Sequence, residues 1–335
     1  MRLTCFGELM LRLTPAVKGQ KIVSSHNFSV DYAGAESNVA SALAHLGNSV
    51  NFVSKLPNNS LGNAAMASLN RYGIDTSNLL RGGERIGTYF IELGASIRPS
   101  SVIYDRANSA LAAIQENEFD WPQVLKGSQW LHVSGITPAI SNQCANETVK
   151  AVKAAHAMGI KVSFDLNFRR TLWANVEDAR QIFLQIMEYT DLLHGNCGVL
   201  KDVFDLDYSG QSSIENTVAA ASDVQQKFAI DGVALTSREH HSASVNGLSG
   251  VYLQGAKCVT SSSYQVDILD RFGTGDAFAA GILHGIMHDF SPQESVDFAT
   301  AAFALKHTIL GDQLTATKED IHSISGGNIS GHVIR

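Results

Sequence analysis

Short apolar runs alternate with longer amphipathic stretches along most of this chain, and that alternation restricts the fold more than any other feature. The runs LTCFGEL, VNFVSKL, WLHVSGI, KVSFDLN, DLLHGN and DGVALTS have the length and composition of strands. Between them, a 3.6-residue period predicts helices over Ser37 to Leu46, Leu61 to Tyr72, Asn142 to Met158, Val176 to Tyr189 and Ile214 to Phe228. Strand and helix in turn make βα units, which feed a mostly parallel sheet covered on both faces: an α/β fold of three α/β/α layers. Two stretches break the rhythm. Lys21 to Tyr32, and Gly87 to Tyr104 with TYFIEL and SVIYD flanking a Gly/Pro/Ser turn, alternate like exposed antiparallel strands. They predict a small β lid, with strands from about residues 13–33 and 86–106. No Pro/Ser-rich linker, repeat or low-complexity run divides the chain, so residues 1–335 read as one domain carrying that lid.

Composition limits what such a domain meets. A formal charge of −7 spread along the chain leaves no basic footprint for a nucleic acid and no polybasic patch for a membrane, so a small-molecule partner is expected. Cys5, Cys144, Cys197 and Cys258 lie far apart, with no CxxC pair and no histidines at ligand spacing. They read as reduced thiols of a cytoplasmic protein. The opening MRLTCFGELMLRLTP is interrupted by Glu8 and Arg12, which argues against a secretory leader, and no later run reaches membrane-spanning length. Lid strands with open edges predict a homo-oligomer.

Chemistry concentrates near the C-terminus. After SVNGLSGVYLQG, which predicts a hairpin turning at Asn246-Gly247, the chain enters DRFGTGDAFAAG and becomes helical to His288. Ala277, Ala279, Ala280, Gly281 and Gly285 predict a buried helix packed closely on sheet backbone, since an interior glycine otherwise costs roughly 1 kcal/mol. Gly273 and Gly275 at its entry let backbone amides approach an anion, and the helix dipole favours one there. An isolated GxGD is more often a turn with Asp276 as a helix cap. On the functional alternative, Asp276 faces an acceptor hydroxyl while amides from Phe272 through Gly273, Thr274 and Gly275 hold a transferring phosphoryl group. A carboxylate at a helix N-terminus is expected to be a weak base held in its charged form. Phosphoryl transfer tolerates that, because its transition state demands mainly positioning and charge stabilisation. No GxxxxGK[ST] loop offers another solution.

The segment resembles the C-terminal signature DxxGxGDxFxxG of the ribokinase-like (PfkB) carbohydrate kinases, through Asp270, Gly273, Gly275, Asp276, Phe278 and Gly281. YAGAESNVASALAHLG, with Gly34, Asn38, Ala40 and Gly47, resembles the family's first signature about 230 residues earlier. The resemblance covers nearly the whole chain. It implies a ribokinase-like three-layer sandwich with a β lid, an ATP-dependent kinase, and Mg²⁺ carried largely by phosphate and water. Within the family the likeness is greatest to 2-keto-3-deoxygluconate (KDG) kinases, through LHVSGITPAIS, FDLNFRRTLW, VIYDRANSA and LKHTILGD. That implies a sugar acid phosphorylated on its terminal hydroxyl, surrounded by Gly34, Asn38, Tyr89, Tyr104, Arg106, Arg169 and Asp312, with Asp276 as the base.

An arginine fork is the side chain best matched to the acid's carboxylate, which singles out Arg106 and Arg169. The family places the nucleotide near LTSREHHSASVNG and the last helices, which implies Asn196, Thr236, Ser237, Arg238, Gly273, Gly275 and His307 as cofactor contacts. Ala302, Phe303 and Lys306 to Thr308 are expected around the adenine, and a monovalent cation near Asp270. Three positions depart from the family pattern: Val199 stands where its NxxE motif has the glutamate, Pro57 ends the first signature in place of glycine, and Arg238 replaces a frequent glycine. Kinases for fructose, 5-keto-2-deoxygluconate or 2-keto-3-deoxygalactonate are the alternative enzymes, and a sugar-acid binding protein with weak catalysis the alternative class.

Overall fold

The chain begins with β1 (Arg2–Phe6), leaves through β2 (Met10–Pro15) and β3 (Phe28–Ala33), and returns as α1 (Ala35–His45) and β4 (Ser49–Val53). A short pair, β5 (Lys55–Leu56) and β6 (Leu80–Arg81), brackets α2 (Ser60–Asn70), and β7 (Thr88–Glu92) and β8 (Ser101–Asp105) follow. After α3 (Trp121–Val124) come regular βα units: β9 (Trp130–Ser134), α4 (Asn142–Ala157), β10 (Lys161–Asp165), α5 (Val176–Met187), β11 (Leu192–Gly195), α6 (Cys197–Phe204), α7 (Ser213–Phe228) and β12 (Gly232–His240). Antiparallel strands β13 (Val245–Gln254), β14 (Lys257–Thr260) and β15 (Tyr264–Asp267) precede α8 (Thr274–Met287), α9 (Pro292–Lys306) and α10 (Lys318–Ser325). This computed structural model describes residues 1–208 and 212–331.

The main sheet has the order β14-β13-β12-β11-β10-β9-β1-β4, with β15 also on β13, and is parallel from β12 to β4. Alternation along its strands feeds two cores. Leu3, Cys5, Val50 and Phe52 point to the layer of α1, α2, α8, α9 and α10, while Phe6, Val53, Leu131 and Val133 point to that of α3 through α7. Burial on both faces is why these strands read as continuous apolar runs. No described helix is long and apolar enough to cross a membrane.

The lid is a four-stranded sheet of order β3-β2-β7-β8. Its first strand begins at Met10, earlier than expected, because LTCFGEL is not one strand. The chain turns at Gly7, whose Cα lies against the Glu36 carboxylate where a Cβ would clash, and so leaves the main sheet for the lid. One lid pairing, β2 with β7, is parallel, since the chain crosses the body between them. The expected turn at Asn246-Gly247 lies inside β13, paired with β12, and the reversal falls at 241–244. Helix α8 is buried as expected, but its glycines face α9 and not sheet backbone: a Cβ on Gly281 would meet Ala299, and one on Gly285 would meet Ser295.

Candidate active site

A cavity of about 770 Å³ runs along the C-terminal edge of the parallel strands, from the lid to β12. Open α/β sheets bind ligands at this edge, because the loops and helix starts converge there. The starts of α1, α6, α7 and α8 line it, and α1 and α8 differ from the rest. Every other α-helix carries a side-chain cap, whereas α1 starts at Gly34 and α8 at Gly273, both without one. Gly273 has φ +71, and a Cβ there would strike the backbone oxygen of Asp312, so only glycine suits the turn. The amides of Thr274, Gly275 and Asp276 have no acceptor among the described residues, which leaves donors for an anion. Gly275 lines the cavity, and a Cβ would meet nothing there, so the space above these amides stays open.

Asp276 is therefore the third residue of α8 and not its cap. Its Oδ2 accepts from Asn38 Nδ2 at 2.7 Å, which ties the two uncapped helices together. Burial first, then the charges of Asp165 and Asp312, hold its pKa well above the usual carboxylate range, against the Asn38 hydrogen bond and Arg169. The helix start alone led to the expectation of a weak base held charged; the pKa of Asp276 is raised instead, with desolvation its largest cause. Asp165 closes β10 beside it, half-buried, with its pKa pushed up to about 6 chiefly by desolvation.

At the lid end of the cavity the buried polar side chains are cross-linked. Asp312 Oδ2 accepts from the Tyr89 hydroxyl at 2.9 Å, and its Oδ1 from Arg12 Nη1. Tyr89 stacks on its cross-strand partner Tyr104 at 6.0 Å. Arg106 donates through Nε at 2.8 Å and through Nη2 to Glu8 Oε2, and Ser109 donates to Glu8 Oε1. Two of the donors expected for a substrate carboxylate are thus taken by a buried acid, and Nη1 is left. Arg169 lies exposed on the rim, with only a 3.5 Å contact to the Phe168 carbonyl.

The opposite end is sparse. Arg238 is half-buried, with its Nη2 at 3.4 Å from both Thr274 Oγ1 and His307 Nε2, and it stacks over the Phe303 ring. It makes no ion pair among the described residues. Burial, then the neighbouring Arg271, lowers its pKa to about 10. Asn196 caps α6 through Val199 N, Thr236 Oγ1 donates to the Gly195 carbonyl at 3.4 Å, and Ser237 bonds Ser213 at 2.6 Å. Val199 presents an apolar wall.

Known proteins match this arrangement. Residues 1–318 match the pfkB family of carbohydrate kinases. The chain belongs to that family. The 2-dehydro-3-deoxygalactonokinase of Haloferax volcanii is 30% identical over 329 residues, 98% of each chain. The 2-dehydro-3-deoxygluconokinase of Bacillus subtilis is 29% identical over 289 residues, 85% of this chain and 83% of that one. The crystal structure of 2-dehydro-3-deoxygluconokinase from Thermotoga maritima superposes with a TM-score of 0.94 at 40% identity, covering 98% of this chain and all of that one.

The kinase brings Gly34, Asn38, Tyr89, Tyr104, Arg106, Arg169, Asp276 and Asp312 to one cavity, with Asn196, Thr236, Ser237, Arg238, Gly273, Thr274 and Gly275 further along it. His307 is a correction. It is fully buried behind Arg238, with Nδ1 on the Phe303 carbonyl at 2.7 Å, and does not line the cavity. Of the residues expected around an adenine, Phe303 lines the cavity, whereas Ala302 and Lys306 are fully buried away from it. Glu8, Asp165 and Arg271 also line the cavity and were missed. Glu8 and Asp165 sit at or just past the C-terminal ends of β1 and β10, so strand position alone could have found them. Asp270, the position linked to a monovalent cation, is satisfied by protein: Oδ2 by Arg12 at 2.6 Å and Gly311 N at 3.0 Å, Oδ1 by Phe272 N at 3.0 Å.

Proposed function

We propose that this kinase transfers the γ-phosphoryl group of ATP to the 6-hydroxyl of 2-keto-3-deoxy-D-gluconate (2-dehydro-3-deoxygluconate), giving 2-keto-3-deoxy-6-phosphogluconate. The observation that carries the reading is the joint between the two uncapped helices. A buried carboxylate, Asp276, is aimed by Asn38 beside open amide donors, where base and anion cradle meet the same reacting group. The acceptor oxygen attacks phosphorus, the bond from phosphorus to the ADP oxygen breaks, and the hydroxyl proton passes to Asp276. The amides of Thr274 and Gly275 take the phosphoryl charge, with Arg238 and Arg271 as the fixed cations alongside. Mg²⁺ supplies further neutralisation of the polyphosphate. The ion would be carried largely by phosphate and water, with the cavity-lining Asn196 as the candidate protein contact.

Arg169 and the remaining edge of Arg106 select an acid over a neutral sugar, and Tyr89, Tyr104, Gly34, Asn38 and Asp312 enclose the acceptor. The names of the Thermotoga and Bacillus relatives support the gluconate epimer, and that of the Haloferax relative supports the galactonate epimer. The reading includes one kinase domain with its lid, a homo-oligomer, and a cytoplasmic location in keeping with four free cysteines. The test is ADP release from Mg²⁺-ATP with KDG, 2-keto-3-deoxygalactonate, fructose and ribose offered separately. Preference for KDG is expected. Turnover of fructose or ribose alone would overturn the acid assignment, and KDG binding without turnover would make this a binding protein.

A further inference from the structure

Arg12 belongs to the lid strand β2, yet it is one of the most deeply buried side chains, only 2% exposed. Strand alternation sends Arg12 and Thr14 inward, and Arg12 Nε donates to Thr14 Oγ1 at 3.0 Å. Its two terminal nitrogens then part company: Nη2 holds Asp270 Oδ2 at 2.6 Å and Nη1 holds Asp312 Oδ1. Asp270 in turn fixes two loops, through the amides of Phe272 and Gly311. The Phe272 ring covers the guanidinium at 5.5 Å. Asp312 continues the chain to Tyr89 and, through its carbonyl, forms the wall against which Gly273 turns.

We propose that Arg12 is a positioning residue: its guanidinium bridges Asp270 and Asp312 and thereby locks the lid to the turn that presents Gly273, Thr274, Gly275 and Asp276. It touches no reacting atom. Its role rests on the phosphoryl-transfer reading of that turn, but its grip on the turn does not. A planar fork can satisfy two carboxylates that face it from different segments, and an ammonium cannot span both. Removing the cation leaves two buried carboxylates opposed and pushes the loops apart. A guanidinium ion from solution fits the space that truncation opens.

The test uses the full chain as Arg12→Lys and Arg12→Ala. Backbone hydrogen exchange without ligands reads the positioning directly. In Arg12→Lys, protection of the Phe272, Ala277 and Gly311 amides, which have acceptors in this turn and its neighbouring loop, falls about tenfold or more while β9, β10 and β11 keep theirs. With KDG and ATP, kcat falls about a hundredfold and both KM values stay within about threefold, as expected of a misaligned site. Millimolar guanidinium restores roughly tenfold of the lost kcat in Arg12→Ala and does nothing to the wild type. Unchanged exchange in the turn, uniform loss of protection, full activity in Arg12→Lys, or failure of Arg12→Lys to fold each overturns the proposal. If the wild type phosphorylates none of the sugars, the proposed function fails while the exchange comparison still decides the role of Arg12.

Discussion

Under the lid, the buried polar side chains of the cavity are cross-linked to one another: Asn38 to Asp276, Tyr89 and Arg12 to Asp312, Arg106 and Ser109 to Glu8. At the far end, Arg238 has two contacts of 3.4 Å and no acid, and the first amides of α8 have no acceptor among the described residues. The contrast follows from what each end would receive. A sugar acid is a small ligand of many hydroxyls, recognised by donors and acceptors held in place beforehand, so order there is an advantage before it arrives. A polyphosphate brings several charges of its own. An end built of unanswered cations and amides completes its electrostatics only when such an anion enters, at the expense of the stability of the empty site.

The sharpest way to break this comparison is at the joint between the ends. Asp276→Asn keeps the shape and removes the proton acceptor, so kcat falls on the order of a thousandfold while sugar binding by calorimetry is nearly unchanged. Near-normal turnover would refute the base. Arg238→Ala addresses the sparse end. The KM for ATP rises about thirtyfold with that for the sugar unchanged, and thermal stability holds or rises because a half-buried cation without an acid is removed. A drop in stability would mean that Arg238 is a structural residue. At the ordered end, Arg169→Ala raises KM for a sugar acid about tenfold and leaves a neutral analogue alone. Equal effects on both would withdraw the carboxylate contact.

The smallest effect is electrostatic. Burial and the charge of Asp165 raise the pKa of Asp276, and Asp276 works only when ionised, so activity falls as pH drops through that raised value. Asp165→Asn removes the neighbouring charge, and the acidic limb of the kcat profile moves to lower pH by less than about one unit. A shift to higher pH would break the coupling.

Much of the site was legible because its signals are local. The left-handed turn at Gly273 follows from backbone sterics that only glycine meets, and Asn38 and Asp276 each sit within a turn of a helix start. His307 was misplaced for the opposite reason. It follows directly on α9, and whether it faces the cavity or the space behind Arg238 depends on packing against β12, far off in sequence. Glu8 and Arg12 registered only as breaks in an apolar opening. Their meaning depends on partners 98 and 300 residues away, Arg106 and Asp312.

By itself, the amino-acid order determined the periodicities and the turns: a parallel sheet between two helical layers, a lid interrupting it, and a glycine-framed acid at the head of a buried helix. These depend on interactions within a few residues. The inward face of β2 is the counterexample, where alternation places Arg12 and Thr14 inside while Leu11 and Leu13 are only half-buried. A charged side chain is excluded from a protein interior unless paired, and the two acids that pair it arrive only when α8 and the loop after α9 close beneath the lid. Which charges are buried, which are answered, and which still wait for a ligand was decided by the tertiary structure, because desolvation and Coulomb energy depend on distances that sequence separation does not encode.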